Sequence, residues 1–317
     1  MANNQIDPNL LAQLEKLKQK YDAMGQDLSS YLDGLLYSDY LTYWDYIHLD
    51  TLLSLQTPRT QFADEKIFIL YHQITELYFN LILHEQQQLI DKTNCAKEEF
   101  IKRIKRCSRY FEHLISSFDI MIDGMDREQF LAFRMALLPS SGFQSGQYRK
   151  IEINSTDFRL LTHPAVRQQH QNFENANLEE IYQHLYWKKG ATELATGKKT
   201  LTLKQFEEKY SAEFLRQAQH VEDKNLRQMY LNDYENDVEV ATVLKEFDHK
   251  ANVMWPLQHL KSASTYLKKD PDIVKATGGT NWLQYLPPRK QMINYYPELW
   301  SEEEMKDWGV SVNLTFG

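Results

Sequence analysis

An arginine within an apolar segment is the first feature of this chain that could do chemistry. Arg134 lies in FLAFRMALL (130–138), directly before a loop of small and polar residues, PSSGFQSG (139–146). A buried cation is costly unless an anion meets it, and small residues let backbone approach a ligand closely. The combination indicates a pocket for a small molecule that carries a carboxylate. The alternative is a structural ion pair with an acidic side chain. Candidates for that partner are Asp119, Asp123 and Glu128.

Two histidines occupy apolar helical surroundings. His72 follows IFILY (67–71), and Phe68 lies four residues earlier on the same face of a predicted helix. His259 precedes the small residues 262–264, which leave room for a bulky planar group such as a haem. Each histidine has two interpretations. It is either a core residue bonded to backbone or a polar group that faces a cofactor or substrate.

Other metal and cofactor motifs are weak or missing from the sequence. A di-iron bundle would need two Glu-x-x-His motifs and two further glutamates, and the chain has a single such motif, Glu246–His249. The sequence has no HExxH, GxGxxG or P-loop motif, so phosphate and dinucleotide chemistry gains no support. Haem requires only one protein nitrogen as ligand, so its sequence signal is inherently faint.

Composition and charge argue against several classes of protein. The formal net charge is −8 and the pI is about 5.7, whereas a general nucleic-acid binder carries a basic face. The two cysteines, Cys95 and Cys107, form no zinc or haem-attachment motif and favour a reduced setting. No signal peptide is evident, and no apolar run approaches the ~20 residues of a membrane helix. We therefore expect a cytoplasmic protein without nucleic-acid or membrane partners.

The elements that position these residues are predicted to be helices. The chain has only 11 Gly and 9 Pro, and such a composition favours helices over sandwiches or barrels. Apolar periodicity and capping residues predict helices at 8–32, 47–56, 64–90, 97–123, 126–138, 204–232 and 236–268, with shorter helical pieces over 150–190.

Several local features qualify this all-α prediction. Pro256 should kink the last long helix or mark a break in it. Short strands are conceivable at 149–153 and 198–202, but a sheet core is not expected. Residues 188–202 are polar and predict an exposed excursion. We find no internal repeat and no linker, so the sequence predicts a single domain over 1–317.

Four blocks of sequence resemble the tryptophan 2,3-dioxygenase family. They are LTYWDYIHLDTLLSLQ (41–56), DEKIFILYHQITELYF (64–79), FLAFRMALLPSSGFQSGQYR (130–149) and, more weakly, WPLQHL (255–260) with ATGG (276–279). The third block is the most specific, because SGFQS after an arginine-bearing helix is a signature of that family. The resemblance implies a large helical bundle that encloses one b-type haem per subunit. It also implies a homotetramer, a dimer of dimers, in which residues 1–37 take part in subunit contacts.

The resemblance also implies roles for individual residues. His259 would be the axial ligand of the haem iron, and His72 would be the distal histidine that hydrogen-bonds the indole N–H. The implied substrate-binding residues are Phe68, Arg134, Thr277, Tyr43 and Tyr46, the two tyrosines being contributed by an adjacent subunit. The implied cofactor-binding residues are Phe130, Ser141 and Gly142. Without the resemblance, Tyr43 and Tyr46 read as helix-packing aromatics and Thr277 as part of an ordinary turn.

The activity implied is cleavage of the indole C2–C3 bond of L-tryptophan with O2, which gives N-formyl-L-kynurenine. The chain departs from the family pattern at Phe130, where tyrosine is usual, and in the loop ATGGTN (276–281).

Two hypotheses compete with this dioxygenase activity. One is a haem-dependent monooxygenase that hydroxylates another aromatic amino acid or indole, and the other is a non-catalytic helical protein that binds haem or an aromatic ligand.

Overall fold

Helices dominate the part of the chain that the structure describes. The computed structural model describes residues 6–38, 42–92, 94–137, 144–169, 176–189, 191–192, 198–267 and 286–310. Within these ranges no strand forms, and β-pairing is limited to two isolated bridges, Thr162–Leu185 and Thr192–Lys199. The all-α prediction is confirmed. The strand that the sequence left open at 149–153 does not form, because these residues lie inside a helix.

The chain divides into two compact units, Met1–Thr57 and Pro58–Gly317. The first contains α1 (Pro8–Ala23), α2 (Leu28–Leu36), α3 (Tyr43–Tyr46) and α4 (Leu49–Ser54). The single helix predicted over 8–32 is wrong, because Gly25 adopts a φ of 66° that ends α1. Asp27 then caps a new helix by accepting hydrogen bonds from the N–H groups of Ser29 and Ser30.

The first unit has no core of its own. None of its described residues is buried, although it carries many large apolar side chains. Those exposed include Leu10, Leu11, Leu17, Tyr31, Leu35, Leu36, Tyr43, Trp44, Tyr46 and Leu53. An independent domain buries its own hydrophobic core, so this unit does not meet that criterion by itself. The single-domain organisation over 1–317 stays a prediction.

The second unit carries the remaining helices. They are α5 (Asp64–Ile90), α6 (Lys97–Ser117), α7 (Asp119–Ile122), α8 (Arg127–Phe133), α9 (Gly146–Ser155), α10 (Pro164–Gln169), α11 (Leu178–Gln183), α12 (Tyr186–Lys189), α13 (Leu201–His220), α14 (Leu226–Asp233), α15 (Val238–His249), α16 (Trp255–Leu267), α17 (Pro288–Gln291) and α18 (Glu302–Lys306). A π-helix, Lys250–Met254, joins α15 to α16.

Helix α5 is the central element of this unit. It packs against α6 and α9, and it also contacts α7, α8 and α14. Acidic residues Asp64 and Glu65 open it, as the sequence predicts, where they suit the helix dipole. Its apolar surface is wider than these neighbours cover, because Ile74, Leu77 and Leu81 stay exposed in the single chain.

Helix α8 begins at the predicted cap, but the cap is shared with α5. The Asp126 carboxylate accepts from the Gln129 N–H at 2.9 Å. A reciprocal capping box would return the Gln129 side chain to Asp126. Instead, Gln129 accepts from the Asp64 N–H at 3.3 Å, and the Asp64 carboxylate accepts from the Asp126 N–H at 2.5 Å. The exchange fixes the start of α8 against the start of α5.

Two further predictions need correction. The helix expected over 97–123 breaks at Phe118 into α6 and α7. The segment 188–202 is exposed only in part: Lys189, Lys198, Lys199 and Leu201 are exposed as expected, whereas Lys188, Ala191 and Thr202 are buried. Lys188 is buried because its ammonium pairs with Glu207 at 2.7 Å and lies 3.4 Å from the Tyr182 ring centre. Residues 190 and 193–197 of this segment lie outside the described residues.

A buried carboxylate ties α15 to the C-terminal segment. Asp248 is fully buried and accepts from the Asn252 side chain at 2.7 Å, the Tyr295 N–H at 2.9 Å and the Trp300 indole N–H at 2.8 Å. The Tyr296 N–H is a fourth, longer donor at 3.4 Å. Burial raises the pKa of Asp248 to about 6, although these donors act in the opposite direction.

Replacing this carboxylate should destabilise the fold. We expect Asp248→Ala to lower the free energy of unfolding by about 3 kcal/mol, because it leaves several buried donors without an acceptor. Urea unfolding followed by circular dichroism measures the change. Asp307→Ala, which removes an exposed carboxylate from the same region, is the control. A loss below about 0.5 kcal/mol for Asp248→Ala, typical of surface positions, would contradict this account.

Candidate active site

His72 projects from α5 beside an aromatic ring. Its Nδ1 lies 2.7 Å from the Phe68 carbonyl oxygen, and the Phe68 and His72 ring centres are 4.0 Å apart. Because a carbonyl only accepts, Nδ1 carries the proton and Nε2 keeps its lone pair. Solvent reaches the ring, yet the surrounding protein desolvates it and lowers its pKa. Both properties together are those of a side chain in the wall of an open cavity.

His259 repeats this arrangement on α16. Its Nδ1 lies 3.2 Å from the Trp255 carbonyl oxygen, four residues earlier, and its ring centre is 4.5 Å from that of Trp255. Its Nε2 therefore also keeps the lone pair. Burial lowers the pKa of His259 to about 4, and the proximity of His72 acts in the same direction. The imidazole is thus neutral near pH 7, which is the state that ligates metals.

The structure brings the two histidines into one neighbourhood. Aromatic rings connect them: the Tyr71 ring meets the His72 ring edge-on, with 6.4 Å between the ring centres. The Phe118 ring centre lies 4.6 Å from His259 and 5.7 Å from Tyr71, the residue before His72. Helix α16 is further held to α7 by a hydrogen bond of 3.3 Å from the Ser262 hydroxyl to the Met121 carbonyl.

Phe130 on α8 closes another side of the same neighbourhood. Its ring centre lies 6.2 Å from Phe68, 5.6 Å from Phe133 and 4.7 Å from Tyr266 on α16. The Tyr266 hydroxyl donates to the Met125 carbonyl at 3.2 Å. The wall at Phe130 is therefore apolar and aromatic.

Arg134 lies directly after this wall, at the point where α8 becomes the 3₁₀ turn Arg134–Leu137. Only 4% of the residue is exposed, and burial lowers the pKa of its guanidinium. Asp119, a candidate structural partner from the sequence, lies 3.8 Å from the ammonium of Lys261. A cation buried to this degree requires polar or anionic groups around it.

The remaining predicted residues are not placed at this site by the structure. Ser141, Gly142 and Thr277 lie outside the described residues. Tyr43 and Tyr46 belong to the first unit, where they are 71% and 74% exposed. Their predicted roles stay predictions.

Two residues that matter here were not singled out from the sequence. Trp255 precedes His259 by four residues, as Phe68 precedes His72, so the same helical spacing could have revealed it. Phe118 carries no such signal, because it reaches His259 from a different element.

A tyrosine of α9 supports the turn that leads into α16. In the π-helix the Trp255 N–H bonds to the Lys250 carbonyl, five residues back. The same pattern would pair the Ala251 carbonyl with residue 256, but Pro256 has no N–H. The buried Tyr148 hydroxyl donates to that carbonyl instead, at 2.9 Å. Because a π-turn changes the rotational phase of the following helix, Tyr148 supports the orientation of His259.

The chemistry available at the site is that of single imidazole nitrogens within an aromatic pocket. Among the residues that the structure describes, no three His, Cys, Asp or Glu side chains are grouped to hold a metal ion. In the same ranges, no helix is both long enough and apolar enough to cross a bilayer. A metal bound through one protein nitrogen is the arrangement that porphyrin cofactors use.

Comparison with known proteins gives a consistent result. The family model of tryptophan 2,3-dioxygenase matches residues 34–271. A tryptophan 2,3-dioxygenase from Ruegeria sp. (strain TM1040) is 31% identical over 281 residues, which cover 84% of this chain and 92% of the relative. One from Pseudomonas fluorescens is 29% identical over 273 residues, covering 84% of this chain and 91% of the relative. The match spans His72, Arg134 and His259, and this chain belongs to the tryptophan 2,3-dioxygenase family.

Proposed function

We propose that this protein is a haem-dependent dioxygenase that cleaves the indole C2–C3 bond of L-tryptophan with O2, giving N-formyl-L-kynurenine. The reaction is the first step of tryptophan breakdown by the kynurenine route. The observation that carries the proposal is the pair of neutral histidines, His72 and His259, each with Nδ1 on a backbone carbonyl and Nε2 available. Family membership supplies the reaction class, and this pair supplies a ligand and a hydrogen-bond acceptor.

The residues fit one haem b per subunit. His259 would hold the iron through Nε2, because its Nδ1 faces the Trp255 carbonyl and burial keeps the ring neutral. A hydrogen bond from the second ring nitrogen is the usual support of a metal-bound histidine. Phe130, Ser141 and Gly142 are proposed to lie against the porphyrin. The haem iron, when bound, supplies the redox chemistry of O2, and the protein supplies binding and orientation.

His72 is proposed to orient the indole. Its Nε2 lone pair can accept the indole N–H, since Nδ1 is committed to the Phe68 carbonyl. The lowered pKa of His72 keeps this acceptor available at neutral pH. The neighbouring Phe68 ring can pack on the indole face, a favourable arrangement of aromatic groups. Holding the reacting ring in one pose is itself a large contribution to rate.

Arg134 is proposed to bind the carboxylate of the amino acid. Guanidinium and carboxylate groups form paired, charge-assisted hydrogen bonds. Thr277 is proposed to help hold the amino-acid head group.

We further propose a cytoplasmic homotetramer, a dimer of dimers. Support for the assembly comes from exposed apolar side chains: none of the first unit's described residues is buried, and Leu77 on α5 is 55% exposed in the single chain. Large apolar side chains left exposed in such numbers are typical of surfaces that bind other protein chains. Residues 1–37 would take part in subunit contacts, and Tyr43 and Tyr46 would line a neighbouring subunit's pocket. Sedimentation analysis tests the assembly.

The reaction is tested on protein purified from haem-sufficient cells and reduced before assay. We expect a haem absorption band, and N-formylkynurenine from L-tryptophan and O2, with both atoms of ¹⁸O2 in the product. A ring-hydroxylated product with one labelled oxygen would assign a monooxygenase instead. Haem bound without turnover would leave only the binding function, and the absence of a haem band would end the haem proposal.

The support given by Tyr148 to α16 predicts a second effect. Tyr148→Phe should lower the free energy of unfolding by about 1–3 kcal/mol, because the buried Ala251 carbonyl loses its donor. It should also shift the haem absorption spectrum, because α16 carries His259. Tyr182→Phe is a matched control, since it removes another buried tyrosine's bond, to Ser211 at 2.8 Å. That variant should lose stability but keep the spectrum. Unchanged haem spectra in both variants would mean that Tyr148 acts on stability alone.

A further inference from the structure

Three nitrogen-bearing side chains lie near one another at a place that the proposed reaction does not use. They are His163, Arg167 on α10 and Lys189 at the end of α12. Arg167 is one helical turn after His163, with its backbone N–H on the His163 carbonyl at 3.1 Å. The Lys189 ammonium lies 3.4 Å from His163 Nε2. The Arg167 guanidinium donates through Nη2 to the Met292 carbonyl at 2.9 Å. These elements are different from those that carry His72 and His259.

The protonation of His163 makes this contact unusual. Its Nδ1 accepts from the Ala165 N–H at 3.2 Å, so Nδ1 carries a lone pair and the neutral ring has its proton on Nε2. The Nε2–H and the Lys189 ammonium are then two donors that face one another. Burial lowers the pKa of His163, and the charges of Lys189 and Arg167 act in the same direction. An acceptor placed near both donors would relieve this contact.

Within the described part of the chain, no carboxylate forms an ion pair with any of the three side chains. The Arg167 Nε–H is fully buried and has no hydrogen-bond partner among the described residues, and burial lowers the pKa of this guanidinium. Two other cations with little exposed surface are paired with carboxylates. Arg149 pairs with Glu152 at 2.8 Å, and Arg103 pairs with Glu85 at 2.7 Å.

We propose that His163, Arg167 and Lys189 form a binding site for a phosphate group. Arg167 and Lys189 contribute two positive charges, which match a phosphate dianion better than a single carboxylate. The Arg167 Nε–H, the Lys189 ammonium and the His163 Nε2–H provide donors to several oxygens of one tetrahedral anion, as charge-assisted hydrogen bonds. The site needs no glycine-rich loop, because side chains supply the donors. Inorganic phosphate and the phosphate of an organic monoester share this chemistry.

The test is calorimetric titration of the full-length protein with inorganic phosphate, in a chloride buffer at fixed ionic strength. We expect saturable binding below about 10 mM, a range accessible to a few charge-assisted bonds. Lys189→Gln should weaken it by about tenfold or more, the effect of losing one such bond. Lys189 is exposed, so this variant should fold. Arg167→Gln should weaken binding at least as much, and circular dichroism checks its folding.

Lys102→Gln, a change at an exposed lysine on α6, is the matched control and should leave phosphate binding unchanged. Titration with methyl phosphate distinguishes inorganic phosphate from organic monoesters as the ligand. Equal binding of methyl phosphate and inorganic phosphate indicates a site that is open to organic monoesters. Binding of inorganic phosphate alone indicates a site that excludes them. No binding to the unmodified protein up to about 10 mM, a free energy near −3 kcal/mol, would overturn the proposal. If Lys102→Gln and Lys189→Gln weakened phosphate binding equally, the proposal would also be overturned. Such a result would show that phosphate responds only to the overall charge of the protein.

Discussion

His259→Ala protein is expected to be purified almost without haem. Loss of a second-shell partner of a metal ligand costs roughly 10–100-fold in affinity, so loss of the only protein ligand should exceed about 100-fold. The substitution leaves the Trp255 and Phe118 rings in place, 4.5 and 4.6 Å from the original imidazole centre. The apolar wall therefore remains while the nitrogen ligand is lost. Pyridine haemochrome content per chain measures the effect.

Two further variants make this result specific to ligation. His259→Gly supplemented with imidazole should regain haem absorption, because the added imidazole fills the space of the lost side chain. His72→Ala should keep its haem but lose turnover of L-tryptophan, since His72 is proposed to bind substrate. His113→Ala, which changes an exposed histidine on α6, should alter neither property. Unchanged haem content in His259→Ala together with haem loss in His72→Ala would reverse the two assignments.

The helical fold is predictable where local sequence signals agree with the packing. Residues 64–90 combine acidic residues in the first turn with a long apolar run, and α5 has these bounds. The break at Gly25 is less visible, because apolar residues continue on both sides of it. A glycine within a helical apolar pattern is compatible with a continuous helix. Here Gly25 adopts a positive φ, so the chain turns and the helix ends.

The same distinction applies to the site: some of its contacts follow from local spacing in the sequence, and others depend on how the helices pack. Spacing of four residues pairs Phe68 with His72, and Trp255 with His259, so half of the pocket can be found within single helices. The approach of Phe118 to His259 and of His72 to His259 depends on how α5, α7 and α16 pack, which no local pattern encodes. Pro256 signals a disturbed helix, but the π-turn also depends on the Tyr148 hydroxyl from α9.

Arg134→Gln should reduce kcat/KM for L-tryptophan by about a hundredfold or more, because truncating one partner of a buried charge pair costs about 2–5 kcal/mol. Arg134 is buried at the end of α8, where the exposed fraction is 4%, so water cannot replace the lost guanidinium effectively. The kcat/KM of Arg134→Lys should lie between that of the unmodified protein and that of Arg134→Gln, because an ammonium keeps the charge but lacks the paired donors.

The role of this guanidinium is separated from simple structural damage by a second substrate. Tryptamine has the indole but no carboxylate, so Arg134→Gln should change kcat/KM for tryptamine much less than that for L-tryptophan. The preference for L-tryptophan over tryptamine should therefore shrink by about a hundredfold. Arg127→Gln removes another cation of α8 and should preserve the preference. If Arg134→Gln lowered kcat/KM equally for L-tryptophan and tryptamine, this arginine would support the fold of the pocket and would not bind the carboxylate.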